Sequence, residues 1–194
     1  MCNFVPNWIF LIWLFMRSVK VKDKEFELFI SEQQMQNEIS RVAAEINRDF
    51  QGKEPLFLAV LNGSFMFASD LMKEVSIPST ISFVKMSSYV GTESSSTMKH
   101  LIGLNEDIAG RDVIVIEDIV DTGYTMKNLL EILNSKGPAS VSVCSMLYKP
   151  NKLEVELDVR YVAMSIPDDF IVGYGLDYDG YGRNLRDIYK IINR

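Results

Sequence analysis

Cysteine, histidine and basic residues are scarce in this sequence of 194 residues. It contains two cysteines, one histidine, and 20 Lys and Arg against 26 Asp and Glu. Cys2 and Cys144 lie far apart without metal-ligand or CxxC spacing, which predicts a reduced, cytoplasmic protein. The formal net charge of -6 argues against a protein that mainly wraps nucleic acid, although a local basic patch is compatible with it.

Membrane-length hydrophobic runs are also missing. The run at residues 8–16, WIFLIWLFM, has nine apolar residues, about half of what a membrane span needs. No Lys or Arg precedes Arg17 and no small-residue cleavage site follows, so the run does not fit a signal peptide. We predict that residues 1–15 are an extension and that one domain, without membrane association, covers residues 16–194. A short membrane-associating tail is the alternative.

Hydrophobic patterning after Arg17 alternates between strand-like runs and amphipathic helical stretches. Ser31 and Gln34 form a capping box that starts one helix. The Ser- and Thr-rich stretch 87–100 predicts a flexible surface loop. The alternation predicts an α/β fold, a parallel sheet with helices on both faces. The other predicted helices cover residues 65–74 and 124–137, and the strands lie within residues 55–64, 79–89, 110–117, 140–149, 159–167 and 170–177.

The stretch VIVIEDIVDTGYTM, residues 113–126, places acidic residues directly after a hydrophobic strand. Glu117 and Asp118 fall at the carboxyl end of that strand, where open α/β sheets bind ligands. The turn at residues 121–125 offers backbone N–H groups, two hydroxyls and a helix N-terminus, which together suit a phosphate. It has neither the Lys of a P-loop nor a GxGxxG pattern. Carboxylates beside a phosphate cradle therefore predict a bound sugar phosphate.

The same stretch resembles the diphosphosugar-binding motif of the type I phosphoribosyltransferases, in which two acidic residues precede Asp-Thr-Gly-x-Thr. The resemblance implies the type I phosphoribosyltransferase fold, with a parallel-rich sheet flanked by helices and a small hood from the N- and C-terminal segments. It also implies that Glu117 and Asp118 hold the ribose hydroxyls of phosphoribosyl diphosphate. The 5′-phosphate would bind Asp121, Thr122, Gly123, Tyr124 and Thr125.

Two further segments resemble the hypoxanthine-guanine branch of that family. The resemblance implies that Leu61, Asn62 and Gly63 bind diphosphate, with a cis peptide between Leu61 and Asn62. Many members have Lys-Gly-Gly after the Leu, so Asn62 and Ser64 depart from the pattern. Ser88 and Tyr89 resemble the start of the mobile catalytic loop, which would close over the substrate and exclude water.

The segment IPDDFIVGYGLDYDGYGRNL, residues 166–185, resembles the C-terminal signature of the purine-specific branch. The resemblance implies that Phe170 stacks on the purine and that the main chain of Ile171 reads its edge. Lys149 would donate to the 6-oxo group, and an ammonium, which only donates, favours a 6-oxo over a 6-amino purine. Arg183 would contact the diphosphate. Asp177 is implied at the purine site and, with Glu117 and Asp118, in the Mg²⁺ site.

The implied reaction is purine salvage. A 5-phosphoribosyl group would pass from phosphoribosyl diphosphate to N9 of hypoxanthine, and of guanine, with Mg²⁺ as cofactor and release of diphosphate. Asp121 would lie near N7 and is the candidate general base. The resemblance also implies a homodimer or homotetramer, while no nucleic-acid partner is expected.

Three alternatives stay open at this point. An RNA-binding regulator shares the fold and the motif, but it needs a basic face, which the acidic composition disfavours. A receiver-like signalling domain also ends a strand in acidic residues, but on the first strand, whereas here the pair lies past the middle of the chain. The adenine-specific branch is the nearest enzyme, and Lys149 with residues 166–185 favours 6-oxo substrates over it.

Overall fold

The fold is taken from a computed structural model, which describes residues 18–89 and 98–192, with the backbone alone described at residues 87–89 and 98–101. The predicted extension at residues 1–15 therefore lies outside the described residues, as does the centre of the Ser- and Thr-rich stretch. No helix within the described ranges is long and apolar enough to cross a membrane.

Two sheets and three helices make up the described chain. The strands are β1 Ser18–Val21, β2 Lys24–Ile30, β3 Leu56–Leu61, β4 Thr80–Tyr89, β5 Met98–Ile102, β6 Asp112–Val120, β7 Ser140–Tyr148, β8 Tyr161–Ser165, β9 Ile171–Val172 and β10 Ile188–Ile191. The helices are α1 Glu32–Asp49, α2 Phe65–Glu74 and α3 Tyr124–Asn134. The larger sheet has the order β5-β4-β3-β6-β7-β8, in which only β5 runs antiparallel to its neighbour. This confirms the predicted parallel α/β sheet.

Helices cover both faces of the larger sheet, as predicted. Successive residues of β6 point to opposite faces. Ile114 and Ile116 pack in the core that contains the buried residues of α1 and α2. Val113 and Val115 pack in a second core with α3. A central strand that is apolar on both faces is what a doubly covered parallel sheet requires.

The capping box of α1 forms as the sequence indicates. The Ser31 hydroxyl accepts a hydrogen bond from the Gln34 N–H at 3.4 Å, and Gln34 Oε1 accepts one from the Ser31 N–H at 3.0 Å. Both bonds satisfy N–H groups that a helix start leaves without an intrahelical partner. The helix then buries one apolar stripe, made of Met35, Ile39, Val42, Ala43 and Ile46.

A small antiparallel sheet of order β1-β2-β10-β9 joins the N- and C-terminal segments. It matches the expected hood. The strand predicted over residues 170–177 was too long, because only Ile171–Val172 is a strand. Gly173, Tyr174 and Gly175 have φ values of 108°, 50° and 96°, and this left-handed region cannot continue a strand.

Two other predicted boundaries were wrong. The strand predicted over residues 79–89 is confirmed as β4, which ends at Tyr89, but the loop predicted over residues 87–100 was too long, because β5 begins at Met98. Antiparallel pairing between these strands supplies the backbone hydrogen bonds, so serine's weak strand propensity is overridden. The helix predicted over residues 124–137 ends at Asn134, shortly before Gly137 at φ 70°.

Candidate active site

Three adjacent strands of the larger sheet deliver the candidate residues to one edge. β3, β6 and β7 are neighbours in that order and run parallel, so their carboxyl ends lie side by side. The segment 61–64 follows β3, the segment 117–125 spans the end of β6, and Lys149 follows β7. Residues more than 80 positions apart in sequence are thereby brought to one site.

The turn after β6 has the form of an anion cradle. Gly123 precedes α3 with φ 86° and ψ -13°, and no side chain of the described residues caps the helix. The N–H groups at the helix start are therefore left for a ligand. A cavity of about 80 Å³ lies against this turn. It is lined by Glu117, Ile119, Val120, Asp121, Thr122, Gly123, Thr125 and Met126.

Gly123 is required by packing as well as by its backbone conformation. A Cβ atom there would lie 2.7 Å from Leu153 Cδ1 and 2.8 Å from Val155 Cγ2. The segment that follows Lys149 therefore packs directly against the turn at residues 121–125. The Glu154 N–H also donates to the Thr122 carbonyl oxygen at 3.0 Å, which fixes this segment to the cradle.

The two consecutive carboxylates, Glu117 and Asp118, differ in burial, and Glu117 lines the cavity. Glu117 is 8% exposed, and its Oε1 accepts a hydrogen bond from the Asp118 N–H at 3.2 Å. Burial raises the pKa of Glu117 well above its usual value, and the neighbouring Asp118 side chain raises it further. A buried carboxylate with this tendency is stabilised in its charged form by a cation or by hydroxyl donors.

The loop after β3 packs against Asp118 and against the C-terminal turn. The Leu61–Asn62 peptide is cis, as the family resemblance implied. A Cβ atom at Gly63 would overlap the Asp118 carboxylate, and one at Gly175 would overlap the Gly63 carbonyl oxygen. Both glycines are needed because backbone and carboxylate approach each other here more closely than any side chain allows.

Arg183 and Asp177 are bound to each other beside this contact. Arg183 Nη1 donates to the Gly175 carbonyl oxygen at 2.6 Å, and Arg183 Nη2 lies 2.5 Å from Asp177 Oδ1. The other oxygen of Asp177 accepts the Gly180 N–H at 2.6 Å. Asp177 therefore holds Arg183 next to the loop that was predicted to bind diphosphate.

Four charged side chains form a cluster that includes Asp121, which also lines the cavity. We call it the lysine-aspartate cluster: Asp121, Lys149, Lys152 and Asp168. The Lys149 ammonium lies 2.8 Å from Asp168 Oδ1 and 3.8 Å from Asp121 Oδ2. The Lys152 ammonium lies 2.9 Å from Asp168 Oδ1 and 3.1 Å from Asp121 Oδ2. Lys149 first and Lys152 second hold the pKa of Asp168 below its usual value.

Lys149 is buried, and its ammonium makes two hydrogen bonds within the described residues. It is 5% exposed, and its ammonium donates to Asp168 Oδ1 and to the Asp169 carbonyl oxygen at 3.0 Å. An ammonium has three donors. The two bonds therefore use two of the three N–H groups of Lys149 within the described residues, and Asp121, which lines the cavity, lies next to its ammonium.

Phe170 and Ile171, which were predicted to contact the purine, lie at the start of β9 in the small sheet. Phe170 is 46% exposed and is held by rings at 5.8 Å (Tyr178, edge-on) and 6.2 Å (Phe26). The Ile191 N–H donates to the Phe170 carbonyl oxygen at 2.9 Å. Because antiparallel pairs alternate between bonded and unbonded positions, the main chain of Ile171 faces away from β10, toward the open edge of the sheet.

The structure thus brings most of the predicted site residues close together, but it does not describe the side chains of two of them, and two charged residues beside them were not predicted. Ser88 and Tyr89 lie at the end of β4, but their side chains are outside the described residues. The sequence prediction missed Lys152 and Asp168. The available signal was Pro150 directly after Lys149, which starts the 3-10 turn Pro150–Lys152, because such a turn brings side chains three positions apart onto one side.

The comparisons with known proteins agree with this arrangement. Residues 30–179 match the family model described as a phosphoribosyl transferase domain. The chain belongs to the phosphoribosyltransferase family. It is 38% identical over 176 residues to the hypoxanthine phosphoribosyltransferase of Haemophilus influenzae, covering 89% of this chain and 98% of that protein.

Relatives from Staphylococcus aureus place the chain in the hypoxanthine(-guanine) branch of the phosphoribosyltransferases. A hypoxanthine-guanine phosphoribosyltransferase from that organism is 39% identical over 160 residues, which is 82% of this chain and 89% of the relative. The crystal structure of a hypoxanthine phosphoribosyltransferase from Staphylococcus aureus superposes with a TM-score of 0.79 at 38% identity, covering 86% of this chain and 91% of that one. The type I phosphoribosyltransferase fold expected from the sequence is confirmed.

Proposed function

We propose that the protein is a purine-salvage phosphoribosyltransferase that forms IMP from hypoxanthine, and GMP from guanine, with phosphoribosyl diphosphate as donor. The single observation that carries the proposal is the position of buried Lys149 next to Asp121 and the cradle at residues 121–125. One edge of the sheet thus offers a donor for a 6-oxo group, a carboxylate and a phosphate cradle.

The donor would bind along the end of β6. Its 5′-phosphate fits the uncapped start of α3, where N–H groups and the helix dipole favour an anion. Its ribose hydroxyls would donate to Glu117 and Asp118, which offsets the burial of Glu117. Its diphosphate would meet Leu61, Asn62 and Gly63, with Arg183 close by.

The purine would lie between the lysine-aspartate cluster and Phe170. The third N–H of the Lys149 ammonium would donate to the 6-oxo oxygen, and the exposed face of Phe170 would stack on the ring. The unpaired main-chain groups of Ile171 would bond the purine edge. A 6-amino group would set donor against donor at Lys149, so adenine should be a poor substrate.

The reaction requires a proton to leave the purine while N9 attacks C1 of the ribose. The C1–N9 bond forms, the bond from C1 to diphosphate breaks, and the proton leaves from N7. Asp121 Oδ1 is shielded from solvent and has no hydrogen-bond partner among the described residues. Such an atom is costly to keep. Asp121 also lines the cavity beside the cradle, where its carboxylate would accept the purine proton. We assign Asp121 as the general base.

Mg²⁺ fits this site as an ion that arrives with the donor. No three His, Cys, Asp or Glu side chains converge on one point in the described part of the chain. Mg²⁺ usually takes one or two carboxylates and completes its shell with water and substrate phosphates. Glu117 and Asp118 would supply carboxylates, and Asp177, already held by Arg183 and Gly180, would act through water. Bound Mg²⁺ would neutralise charge on the leaving diphosphate.

A radiolabelled-base assay tests the proposal. The protein is incubated with Mg²⁺, phosphoribosyl diphosphate and, in separate reactions, hypoxanthine, guanine, xanthine, adenine or uracil. We expect nucleotide product from hypoxanthine and guanine, and none above background from adenine or uracil. Equal use of adenine, or no turnover of any 6-oxopurine, would contradict the proposal. Light scattering of the same sample tests the proposed homodimer or homotetramer.

A further inference from the structure

Lys152 contacts the proposed general base more closely than any other cation in the described ranges. Its ammonium lies 3.1 Å from Asp121 Oδ2, whereas Lys149 lies 3.8 Å from the same oxygen, beyond hydrogen-bond range. Lys149 is also committed elsewhere, to Asp168 Oδ1 and the Asp169 carbonyl oxygen. Lys152 is therefore the side chain that holds one oxygen of Asp121.

The two oxygens of Asp121 are in different states as a result. Oδ2 is fixed by Lys152, while Oδ1 is shielded and has no hydrogen-bond partner within the described residues. A carboxylate held through one oxygen cannot rotate freely, so the other oxygen keeps one direction. A general base must lie within hydrogen-bond reach of the proton that it takes, so a carboxylate that already keeps one orientation needs less rearrangement when the purine binds.

The backbone around Lys152 is anchored on both sides. The 3-10 turn closes through the Lys152 N–H, which donates to the Lys149 carbonyl oxygen at 3.1 Å. Just after the turn, the Glu154 N–H bonds the Thr122 carbonyl oxygen. The ammonium is thus presented by a short rigid turn attached to the same cradle that carries Asp121. Hydrogen bonds to Asp168 first and Asp121 second raise the pKa of Lys152, so it is a cation at neutral pH.

We propose that Lys152 is a positioning residue, which holds Asp121 by Oδ2 and so sets the orientation in which the carboxylate takes the purine proton. Asp168 bridges the two lysines through one oxygen and keeps both ammonium groups at this spacing. The inference rests on the proposed function, because it assigns Lys152 a part in the same proton transfer. Lys152 itself touches neither substrate in this assignment.

The experiment compares wild type, Lys152→Met and Lys152→Arg, with Lys136→Met as matched control. Lys136 is an exposed lysine after α3, away from the cluster. Initial rates are measured with hypoxanthine and phosphoribosyl diphosphate, and thermal unfolding is followed for each protein. In Lys152→Met we expect kcat to fall about tenfold, which corresponds to about 1.4 kcal/mol. KM for phosphoribosyl diphosphate and the unfolding temperature should match those of Lys136→Met, and Lys152→Arg should recover most of kcat.

A double variant decides whether Lys152 acts through Asp121. Residues that act as one unit are strongly non-additive. In the Asp121→Asn background, Lys152→Met should therefore lower kcat by less than about twofold. A full further tenfold loss there, or an unchanged kcat in the single variant, would overturn the inference. A fall in unfolding temperature that matches the loss of kcat would make Lys152 structural and would overturn it too. An inactive wild-type protein would instead overturn the proposed function itself, and this inference with it.

Discussion

The contact between the C-terminal turn and the loop after β3 makes Gly175→Ala a direct test of how the donor site is built. Gly175 has φ 96°, and an added Cβ would overlap the Gly63 carbonyl oxygen and lie 3.2 Å from its carbon. The left-handed conformation costs an L-residue about 1–2 kcal/mol, and overpacking against backbone adds about 1–3 kcal/mol. We expect the free energy of unfolding to fall by about 2–5 kcal/mol, from the sum of these terms.

The displaced carbonyl should also alter binding of the donor. Arg183 bonds the Gly175 carbonyl oxygen, so both the loop and the guanidinium must move when the contact opens. Urea unfolding gives the stability change, and steady-state kinetics should show a raised KM for phosphoribosyl diphosphate. The matched control is Gly52→Ala, where φ is 77° but nothing lies within 4 Å of the added Cβ. It should lose only about 1–2 kcal/mol and keep the wild-type KM. Equal losses in both variants, with KM unchanged, would refute the packing argument.

Four further outcomes are expected. Asp121→Asn should lower kcat by roughly 10²–10⁴ while both substrates still bind, and near-normal kcat would remove Asp121 from the base role. Lys149→Ala should weaken purine binding in calorimetry and leave phosphoribosyl diphosphate affinity nearly unchanged; equal losses would make Lys149 structural. Ser31→Ala removes the capping box and should cost about 1 kcal/mol in urea unfolding, and no loss would contradict that role. Burial alone would raise the pKa of Asp70, but hydrogen bonds from Lys73, Tyr174 and Gln36 hold it below its usual value. The free energy that these hydrogen bonds to the Asp70 carboxylate add to folding is present above the unfolded pKa and is lost as pH falls through the folded pKa. Asp70→Asn should therefore lower the free energy of unfolding more at pH 6 than at pH 2. An equal loss at both pH values would contradict the assignment.

The sequence was most informative where the site is contiguous. Glu117, Asp118 and the turn 121–125 could be interpreted together because one strand and one turn carry all of them. The alternation of apolar runs and amphipathic helices fixed the parallel sheet, since a strand buried on both faces has no polar positions to spare. The cis peptide after Leu61 was available only through the family resemblance.

The remaining parts of the site depend on contacts that no local pattern encodes. Lys152 and Asp168 meet because a 3-10 turn and the turn after β8 converge, and either residue alone looks like an ordinary surface charge. The short strand β9 was overestimated because residues 170–177 are apolar enough for a long strand. The strand ends because Gly173, Tyr174 and Gly175 have positive φ angles. The hydrophobic pattern does not predict that a non-glycine residue such as Tyr174 adopts a left-handed backbone conformation.

The position of β10 has a consequence for the order in which the protein can be completed. β10 lies between β2 and β9 in the small sheet, so within the described residues the strand Ile171–Val172 pairs with β10 and with no other strand. While a ribosome is still making residues 188–191, the strand proposed to contact the purine lacks its pairing partner, although the segments proposed to bind the diphosphosugar have already been synthesised. A nascent polypeptide halted before residue 188 could therefore adopt much of the larger sheet and still be unable to recognise a base.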